Sequence, residues 1–336
     1  MSVIYIKEQG SAIYKRGSRL LVVKDDVTLA EIPLRETTMV ALFGNIQLST
    51  QALSELGEHD IPVSFYTRNG RLKARLVPEA SGSIAAKLRQ YRAATDAATA
   101  LPFARAIVCA KLANSRHLIE DYRKHYPSDS LAAASESLKV DAERAFASAS
   151  IEVLMGFEGA GAATHFRAFA EMNRSGFAFP GRRKHPSTDP LNALLSLGYT
   201  MVGNELHALV EGMGLEPFIG FLHSAEDNRP SLALDLVEPF RPSFVDRLAL
   251  RLVNEKILKE VDFLKRMGGP LAGSVILRPE AWVKYLETYE AAMIAPRAFA
   301  PLGIRGEMRG QVARLVHALR TGTEFVPYLE DVECDT

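Results

Sequence analysis

Three segments of the chain carry side chains able to hold a divalent cation or move a proton. Met155-Gly156-Phe157-Glu158-Gly159-Ala160-Gly161 sets one carboxylate inside a run of tiny residues. Such residues let a helix or a ligand approach the backbone closely. Glu158 is therefore either a surface carboxylate at a tight helix crossing or a ligand to something compact. The apolar run 218–222 ends in His223, which is either a satisfied core or rim histidine or a ligand. Asp235 and Glu238 stand three apart, so in a helical turn they share one face. Two like charges that close repel unless a cation, an arginine or water lies between them. Arg241, three residues on, offers the plain alternative of a structural ion pair. Taken jointly, the carboxylates and the imidazole form a mixed oxygen and nitrogen donor set suited to Mn²⁺, with Mg²⁺ tolerated. An ion held this way polarises a phosphodiester and stabilises an attacking or leaving oxygen. Competing signatures are missing from the sequence: no phosphate loop ending in Gly-Lys-Ser/Thr, no His-Glu-x-x-His, no Gly-x-Ser-x-Gly elbow.

Positioning such groups needs a sizeable scaffold, and 336 residues suffice for two domains with buried cores. Net charge is zero, 40 basic side chains against 40 acidic ones, so no global field announces a polyanionic partner. Charge is uneven locally. Between residues 64 and 92 stand seven Lys/Arg and one acid, Glu79; Arg174, Arg182, Arg183 and Lys184 follow in a stretch with no acid. These runs are solvated faces or phosphate contacts, and charge alone does not choose. Cys109 and Cys334 are too few for a four-cysteine metal or iron–sulfur site. No run approaches the roughly 20 apolar residues that cross a bilayer, and the start lacks a secretory pattern. A cytoplasmic protein without membrane contact is expected.

Short β-forming runs broken by turn signals occupy 3–6, 12–14, 20–23, 28–32, 39–42, 63–66 and 72–76, with a hairpin turn expected at Asn69-Gly70. One helix interrupts them at 49–57, capped by Ser49 or Thr50 and ended by Gly57. Residues 1–80 thus read as a small β-sandwich-like domain. The composition of 78–83 reads as a linker, with the boundary at 81–84. Helical texture follows: 85–100, a helix opened by Pro102, 130–150, and 191–212 entered through Thr188-Asp189-Pro190. Ser243 to Asp246 resembles a capping box ahead of a helix over 247–265. Met308, Val312, Leu315 and Leu319 line a last helix that stops at Thr321-Gly322. The expected fold class is α+β with two domains, the second all-α over 85–323, and residues 324–336 form an acidic, mobile tail.

Several segments, in order, resemble the CRISPR-associated protein 1 family, the spacer-acquisition integrases. They are Ala41-Leu42-Phe43-Gly44-Asn45-Ile46-Gln47, the stretch from Ile61 to Gly70, Lys111-Leu112-Ala113-Asn114, Phe157-Glu158-Gly159-Ala160, the stretch from Asp189 to Tyr199, Gly220-Phe221-Leu222-His223, and Asp235-Leu236-Val237-Glu238-Pro239-Phe240-Arg241-Pro242. The resemblance implies a β-rich domain used for homodimerisation and a helical catalytic domain. It implies that Glu158, His223 and Glu238 coordinate Mg²⁺ or Mn²⁺, with Asp235 beside them as a further catalytic residue. Many members carry Asp where Glu238 stands, which leaves metal preference less fixed than metal binding. The implied activity is metal-dependent DNA joining and cleavage: the 3′-hydroxyl of a prespacer attacks a phosphodiester at the leader–repeat boundary of a CRISPR array. Implied partners are double-stranded DNA, both prespacer and repeat, and CRISPR-associated protein 2. Two homodimers would flank one small-partner dimer as a heterohexamer. His223 ligates only as the neutral ring, so activity is expected to weaken as it protonates. Arg174, Arg182, Arg183, Lys184 and Arg241 become candidate DNA contacts, with the 174–184 run ranked above 68–75. The alternatives are a catalytically silent DNA-binding scaffold of the same family and, more remotely, a small-molecule metallohydrolase.

Overall fold

β-Branched and aromatic runs near the start form eight strands and one helix: β1 (Ser2–Ile6), β2 (Ala12–Arg16), β3 (Arg19–Lys24), β4 (Val27–Pro33), β5 (Thr37–Phe43), β6 (Gln47–Leu48), α1 (Thr50–Glu58), β7 (Val63–Tyr66) and β8 (Leu72–Leu76). This computed structural model describes residues 2–68, 72–76, 84–184, 186–268 and 272–330. The Asn69-Gly70 turn, the 78–83 linker, Cys334 and the tail beyond Glu330 lie outside the described residues. The strands make two four-stranded sheets, ordered β1-β5-β7-β8 and β4-β3-β2-β6. In the first, β1, β5 and β7 run parallel and β8 antiparallel. Parallel neighbours need long crossovers. Strands β2 to β4 supply one, and β6 with α1 supplies the other. This mixed pairing departs from the antiparallel sheets of an immunoglobulin-like sandwich. Val40, Leu42 and Val63 of one sheet share a core with Ile13, Leu20 and Val22 of the other and with Ala52 and Leu56 of α1. Ser49 caps α1 as expected, its hydroxyl accepting from the Ala52 N–H.

The chain divides into two compact units, 1–82 with 211–214, and 83–210 with 215–336. The second unit contains α2 (Ile84–Thr95), α3 (Ala97–His125), α4 (Asp129–Phe146), α5 (Ile151–Met172), most of α6 (Pro190–Gly212), and α7 (Ser231–Val237). After these come a π-helical turn (Arg241–Asp246), α8 (Arg247–Asn254), strands β9 (Phe263–Lys265) and β10 (Val275–Leu277), α9 (Pro279–Ile294) and α10 (Gly303–Thr321). Among the described residues no helix is long and apolar enough to cross a membrane.

Several boundaries differ from the sequence expectations. The helix expected over 85–100 breaks at Asp96, whose carboxylate caps α3 by accepting from the Ala98 and Thr99 N–H groups. Pro102 consequently lies inside α3, not at its opening. Ser243 caps nothing: its hydroxyl donates to the Pro239 carbonyl (2.9 Å), and Asp246 is buried. The helix expected over 247–265 stops at Asn254, where Lys256 takes φ +59° and the Leu258 N–H returns to the Leu252 carbonyl. The antiparallel pair β9/β10 means the second unit is not all-α. Finally, 324–330 is not a loose tail. Phe325 and Tyr328 are buried, and the Glu330 N–H donates to Asn114 Oδ1 (2.9 Å).

Candidate active site

Helix α5 crosses α3 at Gly161, where an added Cβ would collide with Leu112. Gly156 and Gly159 face open space, so one glycine of the run enforces the close approach. That crossing sets Glu158 of α5 against Lys111 of α3. The Lys111 ammonium pairs with Glu158 Oε1 and lies 2.5 Å from Glu238 Oε2. Glu238, in the turn after α7, also accepts from Arg241 Nε (3.0 Å). Asn114, one turn beyond Lys111, donates to the Pro239 carbonyl (2.9 Å) and so fixes the residue next to Glu238. Each carboxylate is thus within one contact of the same ammonium.

Burial pushes the Glu238 carboxyl up, but Arg241 and Lys111 outweigh it and hold the pKa at about 2. Burial pushes Lys111 down, and Glu238 and Glu158 outweigh that too, leaving it above its ordinary value. His223 contributes to lowering Glu238, so its ring belongs to the same electrostatic cluster.

Asp235 acts differently from its neighbours. It is wholly buried and accepts four bonds: the Phe221 and Leu222 N–H groups on Oδ2 (2.6 and 3.0 Å), the His223 N–H on Oδ1 (3.0 Å), and His223 Nδ1 on Oδ1 (2.6 Å). Both oxygens are committed, so Asp235 reaches the site through His223 and is a positioning residue. Fixing Nδ1 leaves Nε2 as the ring nitrogen available to a cation or a proton. Gly220 makes this turn possible, because a Cβ there would meet Asp235 Oδ2 at 2.6 Å and the Ser231 carbonyl carbon at 2.9 Å. The Gly-Phe-Leu-His segment and Asp235 are one structural unit.

A second network adjoins Arg241. Its guanidinium lies 4.3 Å from the centre of the Tyr199 ring, and that of Arg182 lies 5.3 Å from it. The Tyr199 hydroxyl donates to Asp246 Oδ1, and His165 Nε2 meets Asp246 Oδ2 at 2.7 Å. Burial, then Asp246, push the Tyr199 phenol far above its usual range. Burial and Arg241 lower Lys184, with Glu238 opposing. Of the candidate DNA contacts, then, Arg241 pairs with Glu238, Lys184 feels the Glu238 charge, and Arg182 flanks the Tyr199 ring beside Arg241 while donating to Asn192 Oδ1 (2.9 Å). Arg183 joins through its backbone, its N–H donating to Asn192 Oδ1 (2.8 Å). Arg174 sits elsewhere, stacked on Tyr126. Sequence reasoning missed Lys111, Tyr199, His165 and Asp246 as members of the site. Lys111 and Asn114, three apart and so on one helical face, were a usable signal; for the other three the sequence offers none.

No three His, Cys, Asp or Glu side chains among the described residues already stand as a ready metal cage. The donors nevertheless fit a divalent ion. Glu238 Oε2 is buried and has no hydrogen bond of proper geometry, meeting the Lys111 ammonium alone. Glu158 is a quarter exposed on that same ammonium, and the His223 ring is pinned by a carboxylate as ligating histidines are.

The family model described as CRISPR associated protein Cas1 matches residues 4–291. The chain belongs to the Cas1 family. It is 31% identical over 344 residues to a CRISPR-associated endonuclease Cas1 of Rhodospirillum rubrum, with 97% of each chain covered. It is 35% identical over 277 residues to a Cas4 exonuclease/Cas1 endonuclease fusion of Geobacter sulfurreducens, covering 79% of this chain but 49% of that longer one. Among solved structures, a Cas1 protein from Thermotoga maritima superposes with a TM-score of 0.81 at 23% identity, covering 97% of this chain and 99% of that one. A casposase bound to integration product superposes equally well, TM-score 0.81 at 21% identity, covering 98% and 94%. At these identities the structural likeness shows that the Cas1 fold is shared.

Proposed function

We propose that this Cas1-family chain is a divalent-metal-dependent DNA strand transferase and endonuclease of CRISPR adaptation, inserting prespacer DNA at the leader–repeat end of an array. The observation that carries the reading is the convergence of Glu158 and Glu238, eighty residues apart in the chain, on one buried ammonium next to a carboxylate-pinned His223. The naming of the relatives as endonucleases supports it, as does the integration product in the casposase neighbour. Glu158, Glu238 and His223 Nε2 would hold Mg²⁺ or Mn²⁺. Such an ion supplies Lewis-acid polarisation of a phosphodiester and stabilises the oxygens that attack and leave.

The chain's own residues do the rest. Lys111, Arg182, Lys184 and Arg241 form a cationic rim that orients phosphate oxygens and offsets charge building on phosphorus. In the transfer, a 3′-oxygen forms a new bond to phosphorus as the target's bridging P–O3′ bond breaks. The incoming hydroxyl gives up a proton, and the released 3′-oxygen takes one. Phosphodiester number is conserved, so no external energy source is required. Asp235 keeps the His223 ring in one tautomer and orientation throughout.

For partners, structural neighbours include a Cas6-RT-Cas1–Cas2 complex and a Cas1–DNA complex. We extend this to double-stranded DNA and a Cas2-type small protein for this chain, with homodimers of the β-rich unit flanking a small-partner dimer. The test uses purified protein, Mn²⁺ or Mg²⁺, and branched or supercoiled DNA. Joining or cleavage should be lost in Glu158→Ala and His223→Ala while DNA binding persists. Absence of turnover by the unaltered protein with either metal would overturn the reading.

One observation favours a second reading, a DNA-gripping scaffold without chemistry: Lys111 already supplies the positive charge between the two carboxylates. Under that reading Mn²⁺ leaves the protein's melting temperature unchanged.

A further inference from the structure

Residues 322–330 contain no helix or strand, yet Phe325, Tyr328 and Glu330 are buried. Backbone groups that join no ladder need other partners when they are buried. Two carboxamides supply them here. Gln311 of α10, wholly buried, accepts from the Tyr328 N–H on Oε1 (2.9 Å) and donates from Nε2 to the Leu236 carbonyl (2.9 Å). Asn114 of α3, equally buried, accepts from the Glu330 N–H on Oδ1 (2.9 Å). Its Nδ2 donates to the Tyr328 carbonyl (3.1 Å) and to the Pro239 carbonyl (2.9 Å). Each amide therefore ties this final strap to the turn after α7, at carbonyls two residues before Glu238 and one after it. A ring stack makes a third tie: Tyr328 lies on the buried Phe240 with ring centres 5.0 Å apart and planes 6° apart. Phe325 lies near a different ring, that of Phe103 on α3, at 6.2 Å. Tyr328 is thus the strap residue that meets the turn.

The turn has little support of its own. Pro239 has no N–H to offer. The Glu238 and Arg241 N–H groups close only long bonds to residues three back, 3.2 Å to the Asp235 carbonyl and 3.3 Å to the Glu238 carbonyl. Helix ends leave carbonyls that the helix cannot satisfy, and at α7 the Leu236 carbonyl takes its donor from Gln311. Glu330 secures the far end of the strap, accepting from Arg247 (3.0 Å).

We propose that the strap over residues 324–330 is a positioning element for the metal site, in which Tyr328, with Gln311 and Asn114, holds the Glu238 turn so that its buried carboxylate stays where a divalent ion can be ligated. The inference rests on the reading of Glu238 as a metal ligand. Residues behind a ligand that fix its orientation contribute to affinity without touching the ion. Tyr328 is such a residue: it reaches Glu238 only through the backbone on either side of it.

The experiment uses the full chain and two readouts, neither of them activity. Hydrogen–deuterium exchange in EDTA follows the amides of Leu236, Val237, Glu238, Phe240 and Arg241, and electron paramagnetic resonance of free Mn²⁺ gives the metal Kd. Tyr328→Ala should speed exchange of those amides about tenfold, the worth of one stacked aromatic pair, and weaken Mn²⁺ binding by roughly tenfold or more. Tyr328→Phe keeps the stack and should restore both to the values of the unaltered protein. Leu286→Ala, a buried truncation on α9, should lower the melting temperature without either effect. If Tyr328→Ala does not fold, Gln311→Met, which removes both amide bonds at similar volume, carries the same expectations. Unchanged exchange over residues 236–241 overturns the proposal. So does equal loosening of that turn by Leu286→Ala, which would make the strap ordinary packing, or a loosened turn with undiminished Mn²⁺ affinity. Absence of Mn²⁺ binding by the unaltered protein would instead overturn the metal reading, while the exchange in EDTA still decides whether the strap holds the turn.

Discussion

Lys111 is the residue on which the two readings of the site divide. Its ammonium is buried between two carboxylates, and taking it away leaves them facing each other across a poorly solvated gap. Removing one member of a buried ionic cluster costs about 3 kcal/mol or more. Lys111→Met should therefore lower the melting temperature in metal-free buffer. If the carboxylates and His223 are metal ligands, added Mn²⁺ should restore more stability to the variant than it adds to the unaltered protein, because ligand binding to the native state raises stability by linkage. A differential scanning fluorimetry titration reads this without any activity. Equal, negligible Mn²⁺ shifts in both proteins would point to the scaffold. Glu238 adds a pH signature. Its folded pKa of about 2 lies below the ordinary 4.5, so its contribution is full above pH 4.5 and is lost as pH falls towards 2. The stability gap between the unaltered protein and Glu238→Gln should be about 3 kcal/mol at neutral pH and should close across that window. Trp282, the one tryptophan and a buried residue of the second unit, reports the unfolding by fluorescence.

At the scale of elements, the turn before His223 is the part most sensitive to a small change. Gly220→Ala pushes a methyl group into Asp235 and into the Ser231 backbone, neither of which can give way without freeing the three N–H groups that Asp235 satisfies. Stranding a buried donor costs about 1–3 kcal/mol. The expected outcome is a fall in both stability and DNA joining, with DNA affinity kept because the cationic rim is untouched. Thermal melts alongside binding and joining assays check each part, and a variant with normal joining would remove the turn from the positioning argument. This turn also marks how far the sequence could be read. His223, Asp235 and Glu238 were all visible as chemistry-bearing residues, whereas Gly220 stood only as part of the apolar run before His223. That Asp235 organises the loop was not, since its four donors come from a segment twelve to fourteen residues away whose backbone direction no periodicity encodes. Helix caps built from local chemistry, such as Ser49, were legible. Helix ends without a glycine or proline were not: α8 stops because Lys256 takes a left-handed conformation and Leu258 folds back on Leu252, and the apolar spacing runs on regardless. Strand positions were legible from alternation. Parallel pairing in the first sheet was not, because it depends on which crossover closes over which strand.

For the molecule as a whole, zero net charge coexists with local concentrations of cations, so electrostatic attraction to DNA should arise from patches and fall steeply with salt. The β-rich unit raises a different question, since homodimerisation is proposed for it. Its second sheet ends in β4, an edge strand whose residues are exposed except Ile32, and which presents two large apolar side chains, Val27 at 59% and Leu29 at 49% exposure. An unprotected apolar edge invites pairing with another chain. Glu31, the one acid of β4, is tied to Arg19 at 3.0 Å, so the strand carries little unpaired charge to repel a second copy. A dimer built on this edge should be split by a charge placed in its middle. Leu29→Lys in the full chain should convert a dimer to a monomer in multi-angle light scattering. Leu29→Ile, which keeps the apolar surface, should leave it dimeric. If Leu29→Lys remains a dimer at the same protein concentration, β4 is not the contact, and the interface must be sought on another face.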